Sequence, residues 1–94
     1  MKTITKRLII QGRVQGVGFR YSMVIAAKQF GVTGWVRNRR DGAVEAIVQG
    51  TPTTVDQITD WSRLGPPGAA VTGIAIFDDV GNETYTNFTQ QPTM

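Results

Sequence analysis

Apolar and polar residues alternate from Lys6 to Val14, with Leu8, Ile10 and Gly12 on one side and Arg7, Ile9, Gln11 and Arg13 on the other. A period of two belongs to a half-buried strand, so this stretch is predicted as the first strand. The pattern then changes. Tyr21 to Phe30 is apolar nearly all round, broken only by Ser22, Lys28 and Gln29. It predicts a helix lying flat on a sheet, with Gly31 as its C-terminal stop. Thr33 to Arg39 and Ala43 to Gly50 return to strand patterning. Arg40-Asp41-Gly42 between them has the length of a hairpin loop in which a glycine takes the left-handed position. That register pairs Val36 with Ala46 and Gly34 with Val48 on one face, and Arg37 with Glu45 and Trp35 with Ile47 on the other. The first set reads as core. The second reads as a solvated face carrying an exposed cross-strand ion pair.

Thr51-Pro52 opens a second helix, a threonine cap followed by proline at the first helical position. Val55, Ile58, Trp61 and Leu64 recur at helical spacing, and Gly65-Pro66-Pro67-Gly68 ends the helix. Ala70 to Phe77 is the fourth strand, Thr84 to Phe88 a short edge strand, and Gln90 to Met94 a frayed end. The order βαββαβ predicts an α+β, ferredoxin-like sandwich: an antiparallel sheet with two helices on one face. The whole chain, 1–94, is expected to be one domain with its core between about 6 and 88.

Composition narrows the chemistry. The chain has 94 residues, 40% hydrophobic and 18% charged, as expected of an ordinary globular sequence. No run is long enough to span a membrane, and Leu8-Ile9-Ile10 is too short for a signal-peptide core, so the protein is read as cytoplasmic. It has no cysteine and no histidine. Disulfides, thiolate nucleophiles, histidine bases and the common zinc sites are thereby excluded. Catalysis is left to Arg, Lys, carboxylates, amides, hydroxyls, backbone N–H groups or the substrate itself. A net charge of +3 favours anionic partners. The one basic cluster, Arg37, Arg39 and Arg40, reads as a solvated strand end rather than a nucleic-acid patch.

Against that background the segment Gly12-Arg13-Val14-Gln15-Gly16-Val17-Gly18-Phe19-Arg20 stands out. Glycines admit left-handed backbone and close approach of a ligand. A helix starting just beyond them aims unpaired N–H groups at the same place. Arg20 adds a planar, permanently charged fork suited to phosphate. In the predicted fold, strands 1 and 2 run parallel with strand 3 between them, so their C-terminal ends open on one edge. Asn38, at the end of strand 2 on the helix-covered face, then lies beside the loop. A polar side chain there needs a partner.

Together these segments resemble the acylphosphatase family. Its first motif is matched by Gly12 to Arg20, and its second by Gly34-Trp35-Val36-Arg37-Asn38-Arg39-Arg40-Asp41-Gly42-Ala43-Val44, with Gly50 at the expected later position. The resemblance runs from about Leu8 to Phe77. It implies a hydrolase that converts an acyl phosphate and water into a carboxylate and inorganic phosphate, metal-independent and without a cofactor. It implies that Arg20 and the backbone N–H groups of Gln15, Gly16, Val17, Gly18, Phe19 and Arg20 bind the phosphate, and that Asn38 positions the attacking water. The expected partners are a small acyl phosphate and inorganic phosphate, the latter as product and competitive inhibitor. No nucleic acid and no membrane are expected, and the protein is expected to be a monomer. The C-terminus departs from the family pattern, since Phe88 is followed by Thr89-Gln90-Gln91-Pro92-Thr93-Met94 where many members end in a strand with a terminal aromatic.

Such chemistry suits a chain without histidine, because a carboxylate leaves with little protonation and phosphoryl transfer asks the protein for positioning and charge stabilisation. Taken singly, each residue has an ordinary explanation: a tight glycine turn, a surface arginine, a turn asparagine, and packing roles for Trp35 and Trp61. The loop is neither a P-loop, lacking Gly-Lys-Ser/Thr, nor a dinucleotide fingerprint. RNA-recognition domains share the element order, but the outward positions Ile9, Gln11, Arg13, Glu45, Ile47 and Gln49 form no stacking platform. A small-molecule regulatory domain and a catalytically silent anion-binding relative are the other readings of this fold.

Overall fold

The computed structural model describes residues 2–79 and 81–93. In chain order the elements are β1 (Ile4–Arg13), α1 (Phe19–Phe30), β2 (Thr33–Asn38), β3 (Val44–Gly50), α2 (Pro52–Leu64), β4 (Ala70–Asp78) and β5 (Phe88–Gln90). The strands form one sheet in the order β4-β1-β3-β2-β5. All neighbours are antiparallel except β2 and β5, which are parallel. This is the ferredoxin-like α+β arrangement with one added strand. No helix among the described residues is long and apolar enough to cross a membrane.

The hairpin register is the one the alternation predicts: Gly34 faces Val48, Val36 faces Ala46 and Arg37 faces Glu45. Asp41 accepts the Ala43 N–H at 3.0 Å, and Gly42 takes φ 95° to close the turn. Leu8, Ile10, Val36, Ala46 and Val48 then meet Met23 and Ala27 of α1 and Val55 and Ile58 of α2 in the core. Thr51 caps α2 by accepting the Thr54 N–H at 3.2 Å.

Four expectations need correcting. The helix after the glycine loop begins at Phe19, not Tyr21. Gly18, at φ 76°, lets the chain enter the helix at once, and Phe19 drops into the core with its ring edge-on to Trp61 at 5.5 Å. Leu64 keeps the helical spacing but is 79% exposed; Thr59 and Ser62 are buried instead, their hydroxyls donating to the carbonyls of Val55 and Ile58. The last strand is Phe88–Gln90 rather than 84–88, because Phe88 is the residue that fills the core. Gln90 is therefore paired with Val36 rather than frayed, and the Gln91 N–H donates to the Val36 carbonyl at 2.8 Å. Met94 lies outside the described residues.

The helix-free face is the fourth correction. Glu45, Ile47 and Gln49 are buried on it, not solvated. Arg37 and Arg7 converge on Glu45 at 2.7 and 3.1 Å, while Arg37 also stacks on Trp35 and Arg7 on Phe77. The segment after β4 folds back across Gln49. That side chain donates to the Glu83 carbonyl and the Thr5 hydroxyl and accepts the Tyr85 N–H.

Candidate functional site

The edge of the sheet where β1 and β2 end is built by register. Ile10 and Asn38 both stand opposite Val44, one from each side, so all three share the helix-covered face. Beyond Arg13 the chain turns through Val14 to Gly18 into α1. Val14 is buried and anchors the loop below, while Gly16 and Gly18 are exposed with φ 75° and 76°. A non-glycine residue would be strained at either position although a Cβ would meet nothing there. Conformation, not space, sets these two residues. Gly12 differs: it belongs to β1, at a bulge against β4, and takes no part in the loop.

Gln15 fixes the loop to the hairpin. Its Nε2 donates to the carbonyls of Arg39 and Ala43 at 2.7 and 2.9 Å, spanning the mouth of the β2–β3 turn. The first N–H to bond within α1 is that of Ser22, which donates to Gly18 at 3.0 Å. Gly18 supplies no side-chain cap, and the first turn carries no acidic residue. The N–H groups ahead of Ser22 are left as donors at the positive end of the helix dipole.

These elements enclose a cavity of about 120 Å³. That is several times the roughly 10–15 Å³ that admits one water. Gly16, Gly18, Phe19 and Arg20 line one side of it, and Asn38 and Gln90 the other. Arg20 is half-buried and belongs to none of the five ion pairs among the described residues. The Asn38 Oδ1 is buried and has no hydrogen-bond partner among the described residues. Such an atom is costly to leave unmet, by about 1–3 kcal/mol, and a water or ligand in the cavity would meet it. No three His, Cys, Asp or Glu side chains gather among the described residues.

Of the residues singled out in the sequence, Gly16, Gly18, Phe19, Arg20 and Asn38 come together at this cavity. Gln15 and Val17 do not line it: Gln15 turns to the hairpin and Val17 packs against the core. Tyr21 and Gln90 do line it and were missed. The alternation Phe88, Gln90 on a strand beside β2 was the signal for Gln90, hidden by placing that strand too early. A larger cavity of about 450 Å³ lies across the sheet, between Trp35, Arg37 and the 83–91 segment. Its cation is already paired with Glu45, so it offers less unmet charge than the small one.

Comparison with known proteins agrees with this architecture. The acylphosphatase family model matches residues 6–90. An acylphosphatase from Albidiferax ferrireducens is 51% identical over 82 residues, 87% of this chain and 89% of the relative. One from Thermococcus kodakarensis is 50% identical over 76 residues, covering 81% and 84%. The crystal structure of acylphosphatase from Bacillus subtilis superposes with a TM-score of 0.89 at 34% identity, covering 94% of this chain and 98% of that one. Both glycine-loop and hairpin segments fall inside the matched stretch, and the chain belongs to the acylphosphatase family of hydrolases.

Proposed function

We propose that Arg20, the loop N–H groups and Asn38 carry out the hydrolysis of an acyl phosphate. In this reading the guanidinium of Arg20 and the N–H groups of Gln15 to Arg20 hold the phosphoryl oxygens. They neutralise charge as it builds on the equatorial positions. Asn38 has no useful pKa and is not a base. Its Oδ1 accepts one hydrogen of a water and holds the oxygen in line with phosphorus. The water oxygen forms the new P–O bond while the bond to the acyl oxygen breaks. The electron pair leaves on the carboxylate, and the water's proton passes to a phosphoryl oxygen.

The observation that carries the reading is the buried Asn38 Oδ1, unpartnered among the described residues, in the same cavity as an arginine that forms no ion pair among them. It supplies an acceptor and a cation with nothing yet to serve. One copy of the chain provides both groups, so a monomer suffices. Inorganic phosphate would occupy the same donors and act as a competitive inhibitor.

The test is release of phosphate from benzoyl phosphate, with and without a chelator. Hydrolysis that persists in chelator, is inhibited by phosphate and collapses in Arg20→Ala supports the reading. Normal phosphate inhibition of Arg20→Ala, or near-normal turnover by Asn38→Ala, overturns the role of that residue. Phosphate binding without turnover would leave a silent anion-binding relative.

A further inference from the structure

Phosphate recognition accounts for only part of the cavity lining. The buried end is formed by Val14 and the unmet Asn38 Oδ1. Two residues at the open end are left over. Tyr21 is 65% exposed, and nothing in the core explains it. It follows Arg20 directly in the first turn of α1. Gln90 faces it from the sheet. It is exposed, its side chain makes no hydrogen bond among the described residues, and it is the last residue of β5.

Gln90 is nevertheless firmly placed. Phe88, two residues earlier on the same face, is 1% exposed in the core. The Gly34 N–H donates to Asn87 at 2.9 Å on one side, and the Gln91 N–H donates to Val36 at 2.8 Å on the other. Val36 is the Cα partner of Gln90, and Asn38 is the next residue of β2 on that face. The two carboxamides therefore stand one pleat apart, Asn38 inside and Gln90 outside.

An acyl phosphate held by its phosphoryl group must project its acyl group towards solvent, past these two residues. We propose that Tyr21 and Gln90 form the acyl subsite. The Tyr21 ring packs against the acyl substituent, and the Gln90 Nε2 donates to the acyl carbonyl oxygen, where charge grows as the carboxylate departs. This favours flat, apolar acyl groups over small ones. The inference rests on the phosphate-binding role given above to Arg20.

The experiment compares kcat/KM for benzoyl phosphate and acetyl phosphate, and the inhibition constant of inorganic phosphate, in Tyr21→Ala, Gln90→Met and Arg20→Ala. Tyr21→Ala should lower the benzoyl-to-acetyl preference by about threefold to tenfold, the scale of one aromatic contact. Gln90→Met, close in shape but without a donor, should lower kcat/KM for both substrates by about threefold to tenfold. Neither should change inhibition by phosphate, which has no acyl group. An unchanged preference in Tyr21→Ala, unchanged kcat/KM in Gln90→Met, or a matching shift in phosphate inhibition in either overturns the proposal. Failure of the underlying reading shows separately, as phosphate inhibition undisturbed in Arg20→Ala.

Discussion

Two arginines on opposite faces of the same sheet have contrasting surroundings. Arg37 lies on the helix-free face, bonded to Glu45 and stacked on Trp35. Arg20 lies at the start of α1 with no ion pair among the described residues, beside a cavity. Two carboxamides repeat the contrast. Gln49 is buried with both ends of its amide bonded, whereas Asn38 is left with a buried oxygen unmet. A polar group satisfied within the chain holds the chain together. One left unsatisfied costs stability and is available to a ligand. The polar groups of the helix-free face are thus spent on structure, whereas at the edge of the helix-covered face, beside the core, two are left for a ligand.

The sharpest way to break that division is to remove each arginine. Arg20→Ala is expected to lower kcat/KM by roughly 100- to 1,000-fold, as loss of an oxyanion donor does. Its melting temperature should hardly move. Arg20→Lys should rescue little, because the bidentate fork is lost. Arg37→Ala should do the reverse: near-normal turnover with a loss of about 1–2 kcal/mol in urea unfolding. The loss is held down because Arg7 stays on Glu45 and the outer guanidinium is partly screened by solvent. A large activity loss in Arg37→Ala would end the division of labour.

The carboxamides give the second test. Asn38→Ala should lower kcat by about 100-fold, taking the scale of a lost catalytic hydrogen bond, and leave stability unchanged or raised, since an unmet oxygen is removed. Gln49→Ala should leave kcat intact and cost about 1–3 kcal/mol, because the Glu83 carbonyl and Tyr85 N–H lose their partner. Hydrogen exchange across residues 81–87 reads this directly. Protection unchanged in Gln49→Ala would show that the segment is held by something else.

Much of this was legible in the sequence, and the gaps have physical causes. Period-two alternation fixed the β2–β3 register, because a one-residue slip would exchange Val36 and Arg37 between faces. The same alternation could not reveal that Glu45 and Ile47 are buried. Burial there depends on long side chains from neighbouring strands and on a return segment with no period of its own. Gly16, Gly18, Arg20 and Asn38 were found because their chemistry is unusual for their positions. Gln90 was not, since its strand is three residues long and is defined by parallel pairing with β2, a contact distant in sequence. Leu64 misled for the opposite reason: each step of three falls about 60° short of a full turn, so three such steps from Val55 carry Leu64 to the opposite side of the helix, while Thr59 and Ser62 stay on the buried stripe.

Glu45 sharpens the stability side through pH. Burial pushes its carboxyl up, but bonds from Arg37 and Arg7 and the charges of Arg37 and Arg39 outweigh burial and hold it below the ordinary 4.5. The folded state therefore binds its proton less readily than the unfolded state. The stability it contributes is present above about pH 4.5 and is lost as pH falls through the lower folded value. Thermal unfolding from neutral pH down to about pH 3 should show a steeper acid limb in the wild type than in Glu45→Gln. Parallel acid limbs would mean that Glu45 is not held in its charged form by the fold.

The smallest expected effect comes from the residue that joins the two regions. Gln15 does not line the cavity, but its side chain bridges the carbonyls of Arg39 and Ala43 and so ties the glycine loop to the hairpin. Under the proposed function it is a positioning residue, acting on the phosphate through the loop it tethers. Gln15→Ala should cost about 1 kcal/mol for bonds at a partly exposed site. Slackening of the loop should lower kcat/KM by about threefold to tenfold and weaken phosphate inhibition in proportion, because the displaced N–H groups serve both ligands. A purely structural tether would shift the melting temperature and leave the inhibition constant alone. The ratio of those two changes therefore measures how far the rigidity of the hairpin is transmitted to the anion site.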